Sequence, residues 1–453
     1  MVAGWAKGTG AGVACAAVAL VLSGGAAAAT VPPSATWGDV TSRVSVGANR
    51  QEADGESRDG SMSAHGRFVA FTSLATNLVP GDTNGRPDVF LRDRATGHSG
   101  RVSVGPGGRQ ADGPSGRPDV APSRPVVVFE SEASNLVAGD TNQASDVFLR
   151  NLETGLTRRL STGPGGRQGD AGSGLPAISA DGRFVAFTSF ASNLVPDDPN
   201  GVDDVFVRSL RTGITRRVSV ATDGTRGNAD GHYLPAISAH GRFVAFASTS
   251  PELVRGDRNG STDVFVRDRW AGTTRRVSIG ARGVESDGSS FSPAISGDGR
   301  LVAFASGATN LVAGDTNGAT DVFVRNLRTG LTRRVSVTSD GTQAEGSEFD
   351  PLPDLSRDGR FVSFTSSAAD LVPRDTNGAW DAFVRDRWHG TTQIASVSTN
   401  GEQGPGFNGA LMLSADGRHL AFASSASNLV LDDTNAVVDV LVRDVTSGEP
   451  DPS

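Results

Sequence analysis

The chain has a single cysteine, Cys15, a single lysine, Lys7, a single tyrosine, Tyr233, and six histidines in 453 residues. One cysteine excludes an internal disulfide framework and any thiolate metal cluster. The 42 basic residues are therefore nearly all arginine; they face 50 acidic residues, giving a net charge of -8. The arginines are spread along the chain instead of clustering, which excludes the basic footprint of a nucleic-acid-binding protein. No H-E-x-x-H, no G-x-S-x-G and no phosphate-cradling glycine loop is present, so the common hydrolase and nucleotide signatures are missing. Nor does any segment show the period of an amphipathic helix.

Long apolar runs are also lacking. The longest candidate, Ala11 to Leu22, is shorter than the roughly 20 residues a membrane-spanning helix needs. Lys7 ahead of it and the small residues Ser23 to Ala29 behind it have the order of a secretory signal, with cleavage expected near Ala29. Cys15 lies early in that run, which argues against lipidation. Residues 1–29 are thus expected to be a signal peptide, leaving a secreted or extracytoplasmic chain without cysteine and without a membrane span. Residues 30–39 read as a leader and 449–453 as a tail.

Between them a strand-like Asp-Val-Phe-Val-Arg stretch recurs seven times. Its aspartates are Asp88, Asp146, Asp204, Asp263, Asp321, Asp381 and Asp439, spaced by 58 to 60 residues. So regular a period, with several short strands per unit, is the mark of a repeat architecture. Residues 175–220 show one unit: strands at 175–179, 184–189, 204–208 and 215–220, with Asp181-Gly182 and Thr212-Gly213 as turns. Asp-Gly between apolar runs predicts a type I′ hairpin. Phe184 and Ala186 fall on one face, Val185 and Phe187 on the other, so both faces of the strand are apolar, as in a blade packed between two others. Seven units of four antiparallel strands predict an all-β, seven-bladed propeller over residues 40–448. The last unit lacks its fourth strand, while a spare copy, Thr41 to Val46, precedes the first. The N-terminal strand is expected to complete the last blade and seal the ring.

The stretch Pro176-Ala-Ile-Ser-Ala-Asp-Gly-Arg-Phe-Val-Ala-Phe187, followed by Asp-Val-Phe-Val-Arg and a Thr-Gly turn, resembles the WD40-like propeller repeat of TolB-type proteins. The resemblance implies the propeller fold. TolB-type proteins carry an α/β domain ahead of the propeller that has no counterpart in these residues, so their role is not carried over. Related propellers also precede the hydrolase domain of prolyl-oligopeptidase-type peptidases.

Two connections per unit are long, and both are expected on one face of the disc, the natural binding face. The second-to-third loop carries Asp-x-Asn-x-x-x-Asp in all seven units: Asp82/Asn84/Asp88, Asp140/Asn142/Asp146, Asp198/Asn200/Asp204, Asp257/Asn259/Asp263, Asp315/Asn317/Asp321, Asp375/Asn377/Asp381 and Asp433/Asn435/Asp439. Oxygens at alternate loop positions suit a hard cation such as Ca²⁺. The same residues also suit an Asx-turn, with Gly85 in the left-handed region and Asp88 paired to an arginine such as Arg92. A second acidic series, Asp54, Asp112, Asp170, Asp230, Asp287 and Glu345, forms either an acidic rim or a set of turns. His232 beside Asp230 and Tyr233, and Trp380 in a long loop, break the repetition and are candidates for the ligand face; Trp270 and Trp388 fall in short turns opposite.

From sequence alone the expected function is a secreted, non-enzymatic scaffold that binds a protein or glycan of the cell envelope or exterior. A calcium-binding propeller, and a hydrolase or lyase with a small site at the channel mouth, are the alternatives. A cluster of unlike polar groups at one channel mouth would favour the last.

Overall fold

The computed structural model describes residues 40–196, 198, 201–227, 233–346 and 351–445. They form seven four-stranded antiparallel sheets, each in the order first, second, third, fourth strand from the channel outward. Blade one is Ser57–Met62, Phe68–Ser73, Asp88–Asp93 and His98–Arg101. The others repeat it around the ring. Blade seven takes Asn408–Leu413, His419–Ser424 and Asp439–Asp444 from the end of the chain and Thr41–Arg43 from its beginning.

That seam is an ordinary ladder: Thr41, Ser42 and Arg43 lie opposite Arg443, Val442 and Leu441. Val44 N–H continues it to Val440 O at 2.8 Å. Thr41 Oγ1 also donates to Val397 O of the neighbouring blade at 2.6 Å. Closure removes the exposed sheet edge that an open ring would carry.

The blades hold together through a two-faced strand code. Phe71 and Phe90 are directly paired across the second and third strands of blade one, with ring centroids 6.0 Å apart. The equivalent Phe–Phe pair recurs in blades two to six, and Leu441 replaces one ring in blade seven. On the opposite face stand small residues: Ala70 and Val89 of blade one pack against Phe129 and Phe148 of blade two. Rings of one blade thus enter the shallow face of the next, and the seam repeats the arrangement with Ala421 and Val440 against Phe71 and Phe90. Each such buried ring contributes about 1.5–3 kcal/mol over an exposed one.

Two local expectations need correction. In the first hairpin of blade three only Gly182 has a positive φ, +63°; Gly182 N–H bonds Ser179 O at 2.8 Å, and Asp181 Oδ1 accepts from Ser179 Oγ and Arg183 N. The aspartate side chain closes the turn, so a left-handed Asp is not needed and the turn is not type I′. The first strand of that blade is also longer, Ser173–Ile178, and it is bulged, with Leu175 at φ +52°. The bulge recurs with Asp59, Arg117, Leu234, Ser292 and Ala410. Pro118, Pro176, Pro235 and Pro293 follow such positions, where an innermost edge strand needs no N–H for a partner.

Candidate functional site

The two long connections emerge together on one face and are tied to each other. In blade one Asp54 of the interblade loop accepts from Thr76 N and Thr76 Oγ1, both at 2.6 Å. Asp112, Asp170 and Asp287 hold Ser134, Ser192 and Thr309 in the same way. The N–H of Glu345 donates to Asp370, as the N–H groups of Asp54, Asp112, Asp170 and Asp287 donate to Asn77, Asn135, Asn193 and Asn310. Where described, then, this acidic series braces loops. The bracing is close: a side chain at Gly105 would place its Cβ 2.5 Å from Asn135 O. Asp230 and His232 lie outside the described residues, and Tyr233 opens the first strand of blade four.

The Asp-x-Asn loops form carboxylate pairs at the root of the third strand. In blade one Asn84 Oδ1 accepts Arg86 N at 2.9 Å, Asn84 Nδ2 donates to Asp88 Oδ2 and to Ala111 O, and Gly85 has φ +61°. Four further loops repeat this amide arrangement. Asn142, Asn259, Asn317 and Asn435 donate Nδ2 to Asp146, Asp263, Asp321 and Asp439 at 3.0 to 3.3 Å. The same Nδ2 groups also reach the carbonyls of Gly169, Ser286, Ala344 and Ala53 in the interblade loops. Their Oδ1 atoms accept the N–H groups of Ala144, Ser261, Ala319 and Val437. Of the two readings of these asparagines, cation ligand and Asx-turn, the hydrogen bonds of Asn84, Asn142, Asn259, Asn317 and Asn435 follow the Asx-turn. Each spends its oxygen on the backbone and turns its N–H toward the buried carboxylate.

Asp88 is fully buried; its Oδ1 accepts Ser103 Oγ at 2.5 Å. Its arginine is not Arg92, which donates to Ser99 Oγ, but Arg101 of the fourth strand, 3.6 Å from Asp82 and 3.7 Å from Asp88. Arg159, Arg217, Arg276, Arg334 and Arg43 take the same place between Asp140/Asp146, Asp198/Asp204, Asp257/Asp263, Asp315/Asp321 and Asp433/Asp439. In blade four Glu285 joins Asp257 and Asp263, the three offering oxygens within 4.8 Å of one another. Arg276 NH1 stands 2.6 Å from Glu285 and 2.8 Å from Asp263. In these six loops the chain supplies its own cation. Asn200 lies outside the described residues.

Trp380 is partly buried, and its carbonyl accepts from Asn408 N and Nδ2. Trp270 and Trp388 are exposed on the short-turn face, stacked under the guanidinium groups of Arg242 and Arg360 at 5.1 and 5.2 Å.

The least repetitive chemistry lies in the channel, a cavity of about 880 Å³ lined by the first strands. Strand register defines a ring of seven equivalent wall positions: Ser61, Asp119, Ala177, Ala236, Ala294, Asp354 and Met412. Two are acids. Asp119 accepts Ser61 Oγ at 2.6 Å and Ile178 N at 2.7 Å; Asp354 accepts Leu413 N at 2.8 Å and Leu355 N at 2.7 Å. Each thereby clamps its blade to a neighbour. Burial raises the pKa of Asp119 and pushes that of Asp354 up to about 6, against the pull of those N–H donors.

Above this ring, at the long-loop mouth, blades one and two carry Glu56, Arg58, Asp59, Arg117 and Glu130, where the other blades present Leu175, Leu234, Leu352 and Phe407. Glu130 is the departure that matters most. Register places it with Thr72, Thr188, Ala247, Ala305, Thr365 and Ala423. Its Oε1 meets Arg117 Nε at 3.2 Å, and its Oε2 accepts Leu175 N at 2.9 Å over Gly174, where a Cβ would stand 2.5 Å from that oxygen. Burial raises its pKa. A half-buried acid beside a guanidinium at a channel mouth can exchange a proton with a substrate held by the arginine. Sequence reading missed Arg117, Asp119, Glu130 and Asp354, although aligning the seven copies residue by residue would have exposed them as the odd members of small or apolar series.

No protein-family model matches the chain, and no curated protein matches it. Among solved structures it is similar to an oligogalacturonate lyase in complex with manganese, with 12% identity, 91% of this chain and 94% of that one covered, and a TM-score of 0.54. An oligogalacturonate lyase from Vibrio parahaemolyticus is similar at 12% identity over 90% and 96% of the two chains, with a TM-score of 0.52. A putative TolB from Agrobacterium tumefaciens shares 14% identity over 61% and 79%, with a TM-score of 0.38. At such identities the likeness establishes a β-propeller. The expectation of a non-enzymatic scaffold is nevertheless corrected: these two neighbours are by name lyases, which the lyase alternative fits better, and the mouth holds a cluster of unlike polar groups. The lyase or hydrolase alternative accommodates both.

Proposed function

We propose that the protein is a lyase or hydrolase that acts on a glycan at the long-loop mouth of its channel. The observation that carries this reading is the breakdown of sevenfold repetition at Arg117 and Glu130, beside Glu56, Arg58 and Asp59 in a mouth whose other blades present mostly apolar side chains. In this reading Arg58 and Arg117 orient an acidic or hydroxyl-rich sugar, and Glu130 moves the proton. The mouth pairs each arginine with a carboxylate, Arg58 with Glu56 and Arg117 with Glu130, so substrate must displace one partner to engage a guanidinium. The two lyases named above act, by their names, on oligogalacturonate, which makes uronate-containing oligosaccharides the first class to try. Residues 1–29, read as a secretory signal, support a location outside the cytoplasm for such an enzyme, with extracellular or envelope glycans as its proposed partners.

The test is a panel of uronate-containing and neutral polysaccharides incubated with the protein, reading unsaturated ends by ultraviolet absorbance and new reducing ends chemically. Unsaturated ends identify a lyase; reducing ends without unsaturation identify a hydrolase. Release of neither from any member of the panel contradicts the proposal.

A further inference from the structure

The sixth blade breaks the arginine rule. Where six blades place Arg43, Arg101, Arg159, Arg217, Arg276 or Arg334 in the fourth strand, blade six has Ile394. Its carboxylates remain. Asp381 is fully buried, and its Oδ1 accepts Ser396 Oγ at 2.5 Å as in the other blades. Its Oδ2, the oxygen that faces the guanidinium elsewhere, is buried without a hydrogen-bond partner. Asn377 Nδ2 makes the bond to Gly404 O, 2.8 Å, that its counterparts also make to Ala111 O and Gly169 O, and gives Asp381 only a weak second approach in place of their 2.9 to 3.3 Å bonds. Gln403, whose counterparts Gln110 and Gln168 donate to Asp82 and Asp140, gives its Nε2 to Arg374 O instead. Arg374 itself is exposed. Next to Asp381, Asn408 stands where other blades have a serine such as Ser115; it donates to Asp381 Oδ1 at 3.3 Å, and its own Oδ1 is also buried without a partner.

A fully buried carboxylate oxygen with no guanidinium and no full hydrogen bond to compensate it is costly. The other six blades show what this position requires, a cation between the two aspartates. The donors left in blade six are all oxygens: Asp381 Oδ2, the Asp375 carboxylate and the Arg374 carbonyl. The carbonyl counterparts Gly139 O and Gly314 O accept from the arginine at 3.1 and 3.2 Å, so this carbonyl borders the same space. Ile394 is shorter than arginine and brings no charge. We infer that blade six holds one hard divalent cation, of the Ca²⁺ type, in the place its missing arginine vacates, with Asp375 and Asp381 as its ligands. Oxygen-only donors with carboxylate charge suit Ca²⁺ over softer metals. The ion would brace the rim between blades six and seven, away from the channel mouth, so the inference stands independently of the proposed activity.

The experiment is calcium titration by calorimetry on chelator-treated protein, paired with thermal melts in calcium and in chelator. The expected result is one Ca²⁺ per chain and a higher melting temperature with calcium, because an ion bound only by the native state must stabilise it. Ile394→Arg restores the arrangement of the other six blades and is expected to abolish binding while keeping a cooperative melt. Asp375→Asn, a change in a partly exposed loop residue, is expected to weaken binding about tenfold or more. A wild-type protein that neither binds calcium nor melts differently with it overturns the inference. So does a stoichiometry near seven, or binding that survives Ile394→Arg.

Discussion

At the residue scale, the arginine between each pair of loop aspartates decides the local electrostatics. Arg159 lies within 3.2 Å of Asp140 and 3.1 Å of Asp146, and Asp146 is fully buried. Arg159→Ala leaves that carboxylate unpaired, and chemical denaturation should show a loss of about 3–5 kcal/mol. A loss under about 0.5 kcal/mol would mean that the pair is no more than a surface ion pair. Asp354 gives a second prediction. Its folded pKa, about 6, lies above its ordinary 3.8, so between these values the native state binds more protons than the unfolded chain. Stability attributable to Asp354 therefore falls as pH rises from about 4 to about 6. The stability difference between Asp354→Asn and wild type should move in favour of the variant across that window, and a flat difference would contradict the assigned shift. The partner of Asp88 was not legible in the sequence. Arg101, 13 residues away, reaches it only because antiparallel pairing sets Phe90 opposite Arg101; the nearer Arg92 points its guanidinium to Ser99 instead.

At the element scale, the strand code was legible because it is local. Alternating Val–Phe and Ala–Val faces, Gly turns and a fixed spacing define each blade before any tertiary contact is considered. What was not legible is whatever depends on register between copies. The bulge at Leu175 and its counterparts shifts which residues reach the wall, so the ring containing Asp119 and Asp354 cannot be read by counting along one strand. The seam is the element on which closure depends. Val44 is 1% exposed and donates its N–H to Val440 O. Val44→Pro removes both the bond and part of the packing, and should lower stability by about 2–4 kcal/mol in urea titration. A change under about 0.5 kcal/mol would show that the N-terminal strand does not hold the ring.

At the scale of the whole molecule, sevenfold repetition is the background against which function has to be sought. A feature that recurs from blade to blade, such as the Asp–Thr or Asp–Ser brace or the Asp–Arg–Asp bridge of six blades, belongs first to the fold. The two departures, an acid–guanidinium pair at the channel mouth in blade two and an arginine missing from blade six, lie in different places. The candidate site escaped the sequence because each member is unremarkable alone: Arg117 follows a glycine, and Glu130 is the penultimate residue of the strand Val126–Ser131. Pairing of the first two strands of blade two, with Gly116 opposite Glu130 and a bulge at Arg117, puts them side by side at the opening. The most direct measurement of this account is mass spectrometry of glycan fragments released by wild type and by Glu130→Gln, whose melting temperature serves as the folding control. General acid–base groups contribute typically about 10²–10⁴-fold, so the variant should release fragments at least about a hundredfold more slowly with its melt intact. Equal release by the two proteins would place the chemistry elsewhere and contradict the assignment of the channel mouth.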